Sequence, residues 1–173
     1  MTLTNKVMLA GLMMTAFTGY TWGIMSHDFF RLDIETTVTA PTCEVTAPTE
    51  HSLGVMVRNS QTSHKPLAVT WTCGNRANAA SIENTYLTAE AVNSSRDDND
   101  QKMYFSNKSD LTQNTATLSL KADEKYIKFN GEDKFCATSG SSGSCVITPV
   151  TDVPQTAQAG QVYAIVKFVA NYQ

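Results

Sequence analysis

Residues Leu67–Cys73 alternate strictly between two kinds of side chain. Leu67, Val69, Trp71 and Cys73 are large and apolar, whereas the residues between them are alanine or threonine. A period of two is typical of a β-strand with one buried face, because successive side chains point to opposite sides of a sheet. Pro66 stands directly before this run, where a missing N–H does least harm to a strand.

Runs of similar type recur along the chain and predict an all-β domain. They cover residues 36–45, 86–92, 103–105, 117–120, 126–129 and 146–150. Turn-prone clusters separate them at residues 93–100, 107–110, 130–133 and 139–144. Only residues 77–83 resemble a helix. This spacing predicts a sandwich of antiparallel sheets, and 173 residues with 42% apolar content fit one domain with a real core.

The first 23 residues are predicted to be a signal peptide. Lys6 is their only charged residue, an apolar run follows at residues 7–17, and Thr21 and Gly23 place small side chains at the cleavage positions. The alternative is an uncleaved anchor, but the glycines and polar residues after position 18 weaken a span of ~20 apolar residues. Cleavage after Gly23 leaves 150 residues (173 − 23), with a net charge of −4 (12 − 16).

The net charge argues against one class of partner, and the number of cysteines agrees with an exported protein. A formal charge of −3 without a block of Lys or Arg does not suggest a nucleic-acid partner. The four cysteines are Cys43, Cys73, Cys136 and Cys145. In an exported protein an even count predicts disulfides, with three pairings open and neighbours in sequence favouring Cys43–Cys73 and Cys136–Cys145. A zinc site is the weaker alternative, since there is no C-x-x-C and no histidine at a ligand spacing.

The two ends of the mature chain both resemble strands. The C-terminal strand has apolar residues at each even position: Val162, Ala164, Val166, Phe168, Ala170 and Tyr172. The N-terminal segment alternates likewise at Phe30, Leu32, Ile34, Thr36 and Val38. That segment is either the ordinary first strand, which periodicity alone favours, or an extended peptide that adds to another sheet. An uncovered apolar edge at the C-terminus invites such pairing.

Three motifs together resemble the subunits of fimbriae that Gram-negative bacteria assemble by the chaperone–usher route. They are PTCEV at residues 41–45, KPLAVTWTC at residues 65–73, and AGQVYAIVKFVANYQ at residues 159–173, with the penultimate aromatic Tyr172. The likeness covers the whole mature chain. It implies an incomplete immunoglobulin-like sandwich of antiparallel strands that lacks its last strand. Residues 24–40 would be an N-terminal donor-strand extension and the start of the first strand, and residues 41–173 the pilin-type sandwich domain.

The resemblance also implies partners and site residues. A periplasmic chaperone would first supply the missing strand, and at the outer-membrane usher the extension of the next fimbrial subunit would replace it. The implied groove and chaperone-facing strand presents Val162, Val166, Phe168 and Tyr172. The implied donor segment, residues 24–34, inserts Phe30, Leu32 and Ile34, whose burial is worth ~5–9 kcal/mol before entropy is counted. The product would be a fimbria on the cell surface that supports adhesion. The sequence does not identify a host receptor.

Two features depart from the commonest pattern of this family. The donor segment contains no glycine between residues 24 and 40, and Cys136 and Cys145 enclose an extra Ser/Gly-rich stretch that resembles a flexible surface loop. Both departures favour a minor subunit over the main shaft subunit.

Other functional classes have little support in the sequence. The chain lacks the G-x-S-x-G, H-E-x-x-H and glycine-rich phosphate-loop motifs, so we expect no enzyme and no cofactor. The acidic run at residues 96–100 lacks the glycine and final glutamate of a calcium loop. The alternative to a fimbrial subunit is a free-standing secreted immunoglobulin-like binding module, which would contain its full set of strands.

Overall fold

The computed structural model describes residues 30–36, 43–74 and 82–173, and within these ranges the chain is entirely β-structure and turns. The twelve strands there are β1 Phe30–Thr36, β2 Cys43–Thr46, β3 Glu50–Gly54, β4 Ser60–Ser63, β5 Leu67–Cys73, β6 Asn84–Val92, β7 Met103–Asn107, β8 Gln113–Ala122, β9 Lys125–Tyr126, β10 Phe135–Ser139, β11 Ser142–Val153 and β12 Val162–Tyr172. None of the described segments forms a helix that is long and apolar enough to cross a membrane.

The strands form a continuous sheet that curls so that its two halves face each other. Its order is β10-β6-β12-β7-β8-β11-β5-β2, with β1, β3, β4 and β9 attached to this path. One half contains β6 and β12, and the other contains β5, β8 and β11. Large side chains from both halves, including Leu87, Phe168, Trp71 and Leu118, belong to one core cluster. The predicted all-β sandwich is confirmed.

The strongest sequence patterns match the observed strands closely. The strand predicted from the alternation at Leu67–Cys73 is β5, whose burial alternates residue by residue. The predicted C-terminal strand is β12, and its even positions are buried as far as Ala170. Both disulfides favoured by sequence order, Cys43–Cys73 and Cys136–Cys145, are present.

Some local predictions are wrong, and others lie partly outside the described residues. Of the run at residues 36–45, Thr36 is the end of β1 and residues 43–45 lie in β2, whereas residues 37–42 are outside the described ranges. The run at residues 126–129 contributes only Tyr126 to a strand. The helix considered for residues 77–83 lies mostly outside the described residues, and residues 82–83 are not helical. Strands β3, β4 and β10 were not predicted.

The stretch between Cys136 and Cys145 consists of the ends of two strands joined by a two-residue turn, and is not a flexible loop. Strand β10 ends at Ser139 and β11 begins at Ser142, so only two residues separate them. Strand β10 pairs with β6 in one half of the curled sheet, while β11 pairs with β5 and β8 in the other. The Cys136–Cys145 bond therefore joins the two halves covalently.

Candidate functional site

The candidate site is the groove between strands β12 and β3. Segment β1 lies in this groove, with one edge paired to β12 and the other to β3. Along β12 six positions are in register, from Arg31 opposite Tyr163 to Thr36 opposite Phe168. The slot next to the last strand is thus filled by the N-terminal segment of the same chain.

The inward side of β1 completes the core. Leu32 is 0% exposed and Ile34 is 6% exposed, and they lie opposite Ala164 and Val166 of β12. The alternation that the sequence shows at even positions therefore reflects burial. Complete burial of two such side chains contributes ~3–6 kcal/mol before entropy is counted.

The other residues singled out in the sequence lie as follows. Val162, Val166 and Phe168 are buried on β12 along the groove, whereas Tyr172, near the end of the strand, is 38% exposed. The backbone of Phe30 lies opposite Gly54 of β3. Residues 24–29, the remainder of the expected donor segment, lie outside the described residues.

The exposed side of β1 forms ion pairs within the strand and with β3. The side chain of Arg31 forms ion pairs with Asp33 on its own strand and with Glu50 on β3, the latter with Nη2 and Oε1 2.9 Å apart. Asp33 and Glu50 are themselves opposite each other in the register. Because like charges at facing positions repel, Arg31 neutralises a pair of carboxylates that would otherwise push β1 and β3 apart.

The two walls of the groove differ in how firmly they are held. Strand β12 pairs with β6 over residues 165–172, and the backbone of Gln173 continues this ladder through Asn84. Strand β3 pairs only with β1 among the strands of the described part. Wall β12 is therefore part of the main sheet, whereas wall β3 depends on whatever occupies the groove.

Two histidines lie at β3: His51 belongs to the strand, and His64 is hydrogen-bonded to the backbone of Leu53. Nε2–H of His51, on β3, donates to the carbonyl oxygen of Lys65 at 2.9 Å. His64 Nε2 forms a 2.8 Å hydrogen bond with Thr151 Oγ1. Burial lowers the pKa of His64, opposed by a hydrogen bond to the backbone of Leu53 and aided by the nearby His51. The neutral form of His64 is thus the one that the fold prefers.

The direction of β1 is the unusual feature of this site. It runs parallel to β12 and antiparallel to β3, and the other strand pairs of the described sheet are antiparallel. The two walls therefore run antiparallel to each other. Any strand in this groove must be parallel to one wall and antiparallel to the other, whichever way it points.

The described residues contain no group of three or more potential metal ligands placed to hold an ion. In the acidic turn at residues 96–100, Asp97 Oδ1 accepts the backbone N–H groups of Gln101 and Lys102, at 2.8 and 3.0 Å. Arg96 pairs with Asp100 at 3.3 Å. These side chains stabilise a turn.

Solved structures of other proteins share this architecture. No family model matches the sequence, and no curated protein matches it. The P pilus rod subunit PapA has a similar structure, with a TM-score of 0.58, 14% identity, and coverage of 76% of this chain and 99% of that one. The chain has the fold of a pilin subunit.

A second pilin structure agrees over nearly the full length. A subunit of a chaperone–usher pilus, from a study of rod uncoiling, matches with a TM-score of 0.56 and 15% identity, covering 98% of this chain and 100% of the other. The pilin fold explains why the slot beside β12 is separate from the main sheet path. Periodicity alone favours residues 30–36 as a first strand of the same domain, but the alternation could not indicate that this strand lies beside β12.

Proposed function

We propose that this protein is a structural subunit of a surface fimbria, polymerised by donor-strand exchange. In the assembled fibre, β1 of one subunit lies in the groove between β12 and β3 of the next. The observation that supports this most is the position of β1: a separate N-terminal segment fills the place of the missing strand with Leu32 and Ile34 buried. A head-to-tail contact of this kind does not close and produces a fibre.

The proposal includes the route by which the chain reaches the surface. Residues 1–23 direct export, a periplasmic chaperone covers the groove during transit, and an outer-membrane usher exchanges the chaperone for the next subunit. The glycine-free extension and the additional Cys136–Cys145 disulfide favour a minor subunit of the fimbria, which supports cell adhesion.

Electron microscopy of cells that express the protein with its assembly partners tests this role. A labelled antibody against the chain should stain filaments, along their length or at defined positions. Replacing Leu32 by Asp should abolish that staining, because an unpaired carboxylate cannot be buried in the groove of the next subunit. Glu35→Asp, on the exposed side of β1, is the matched control and should retain it. Wild-type protein that never appears on filaments would exclude the proposal.

One observation favours the second candidate, a free-standing secreted immunoglobulin-like module. With β1 in its own groove, the single chain has a complete core without a partner. Such a module would bind a ligand as a monomer and would not enter filaments. Covalent attachment of β1 to β12 within one chain separates the two: it should leave a module active, whereas a fimbrial subunit should no longer be incorporated.

A further inference from the structure

We propose that β1 is a removable plug of its own chain: it closes the groove in the free monomer, and the groove takes β1 of a second copy only after its own β1 has left. This inference rests on the proposed function, which supplies the second copy. It adds that the free monomer is inactive in assembly, because its β1 is not available to a neighbour and its groove is not open to one.

The first step of the argument is mutual exclusion. Leu32 and Ile34 are the apolar residues of β1 whose burial the structure describes, and both are buried against β12 of the same chain. They cannot be inserted into a neighbour at the same time. A monomer in this form therefore neither offers a strand nor exposes an unpaired edge along residues 163–168 of β12.

The second step concerns the open state. When β1 leaves, β3 loses its only strand partner in the described sheet, and also the hydrogen bond from Ile34 N–H to the carbonyl oxygen of Thr49, at 3.3 Å. The contacts that still hold β3 then include buried Leu53, the hydrogen bond of His51 to Lys65 and that of His64 to the backbone of Leu53. The open groove thus has one firm wall and one loosened wall, so it is short-lived and closes again unless a strand enters.

The third step concerns direction. The chain's own β1 leads into β2 through residues 37–42 and is parallel to β12. A strand from a second copy has no such connection. Because the walls are antiparallel to each other and side chains alternate with a period of two, an incoming strand buries the same residues in either direction. The groove therefore accepts a second copy without any change in its own geometry.

A designed disulfide tests whether the plug exists in solution. Glu35 lies opposite Lys167 in the register, and the spacing of paired strands, about 4.8 Å, suits a disulfide. All four native cysteines are paired, so Glu35→Cys with Lys167→Cys adds the only free thiols. We expect the purified monomer to form a third disulfide within the chain, at a rate independent of protein concentration.

The matched control is Glu35→Cys with Asn171→Cys. Asn171 lies four residues further along β12, about 13 Å away at the rise of a strand, which is too far for a disulfide. Bond formation between chains only, or equally in both variants, would overturn the proposal.

The second measurement is uptake of a fluorescent peptide with the sequence of residues 30–36. In the wild-type monomer the uptake rate should reach a plateau as peptide concentration rises, because loss of β1 becomes limiting. The oxidised Glu35→Cys/Lys167→Cys variant should take up peptide at least tenfold more slowly than the Glu35→Cys single variant. Equal uptake by the two would show that the peptide does not compete with β1, and would refute the plug.

The results separate this inference from the proposed function. If the disulfide forms and blocks uptake, but wild-type protein never appears on filaments in cells, the plug stands and the fimbrial role fails. If filaments are labelled but no disulfide forms within the monomer, the fimbrial role stands and the plug fails.

Discussion

Gly143 on β11 lies directly opposite Trp71 on β5, and the indole ring occupies the space where a Cβ atom at Gly143 would stand. Such an atom would lie 2.6 Å from Cε2 of Trp71 and 2.7 Å from Cγ2 of Thr138. Trp71 is buried, and its Nε1–H finds no acceptor among the residues that the structure describes. Close packing against the backbone of Gly143, and not a hydrogen bond from Nε1–H, therefore holds the indole ring.

The first prediction follows from this contact. Gly143→Ala should lower the free energy of unfolding by ~1–3 kcal/mol, because the added methyl group forces the indole or the strand to move. Urea denaturation followed by tryptophan fluorescence measures the change. Ser144→Ala, at an exposed position next to it, should be nearly neutral. Equal stability of Gly143→Ala and wild type would contradict the geometry.

The second prediction concerns the contribution of β1 to the monomer. Leu32→Ala should lower the unfolding free energy by ~2–5 kcal/mol, the usual range for a buried leucine. Glu35→Ala, on the exposed face of the same segment, should change it little. The two variants can be compared by thermal melting of purified monomer. If both behave like wild type, β1 does not complete the core of the free chain.

The third prediction concerns the second disulfide. Replacing Cys136 and Cys145 together by alanine should cost ~2–3 kcal/mol on the chain-entropy model for a loop of this length. Comparison of unfolding midpoints under non-reducing conditions measures the loss. Since the bond joins β10 to β11, hydrogen exchange of the β10 amides should also accelerate in the variant. Unchanged exchange there would show that β10 is held by its backbone ladder with β6 alone.

The fourth prediction concerns pH. The pKa of His64 is lowered below its ordinary value of 6.5, chiefly by burial. A histidine of this kind contributes stability that is complete above pH 6.5 and is lost as the pH falls from there towards the folded-state pKa. His64→Gln should therefore flatten the dependence of stability on pH below about pH 6.5.

His51→Gln is the comparison variant for that experiment. Because the charge of His51 opposes protonation of His64, this change should alter the pH profile less than His64→Gln does. If His51→Gln flattens the profile and His64→Gln does not, the prediction for His64 is wrong. Because His64 is hydrogen-bonded to the backbone of Leu53 on β3 and its charged form is disfavoured by burial, peptide uptake by the wild-type protein should also become faster as the pH falls.

Strands with a large apolar face could be predicted from the sequence, and those without one could not. The strands predicted from the alternation at residues 67–73 and 162–172 have the same bounds as β5 and β12. Strand β4 consists of Ser, Gln, Thr and Ser, and β10 is only partly buried at the edge of the sheet. Such strands exist because their backbones pair with β11 and β6, and that pairing leaves no periodic signal in composition.

The site was predictable in its parts but not in its arrangement. The sequence indicated residues 30–34 and 162–172 as the two strands that would meet, and the disulfide partners followed from sequence order. Whether the two strands belong to one chain depends on the length and path of the connection between them, which a pattern of alternating side chains does not encode. The same holds for Gly143, which the sequence shows only as one member of a Ser/Gly-rich stretch.

The Cys136–Cys145 bond has a mechanical consequence. Both ends of the described chain, β1 and β12, belong to the half of the sheet that contains β6, and β10 is attached to the outer edge of β6. A pulling force applied through these ends would reach the opposite half through packed side chains and also through a covalent bond to β11. Separation of the two halves at that edge therefore requires β10 to detach from β6, because the disulfide keeps β10 with β11.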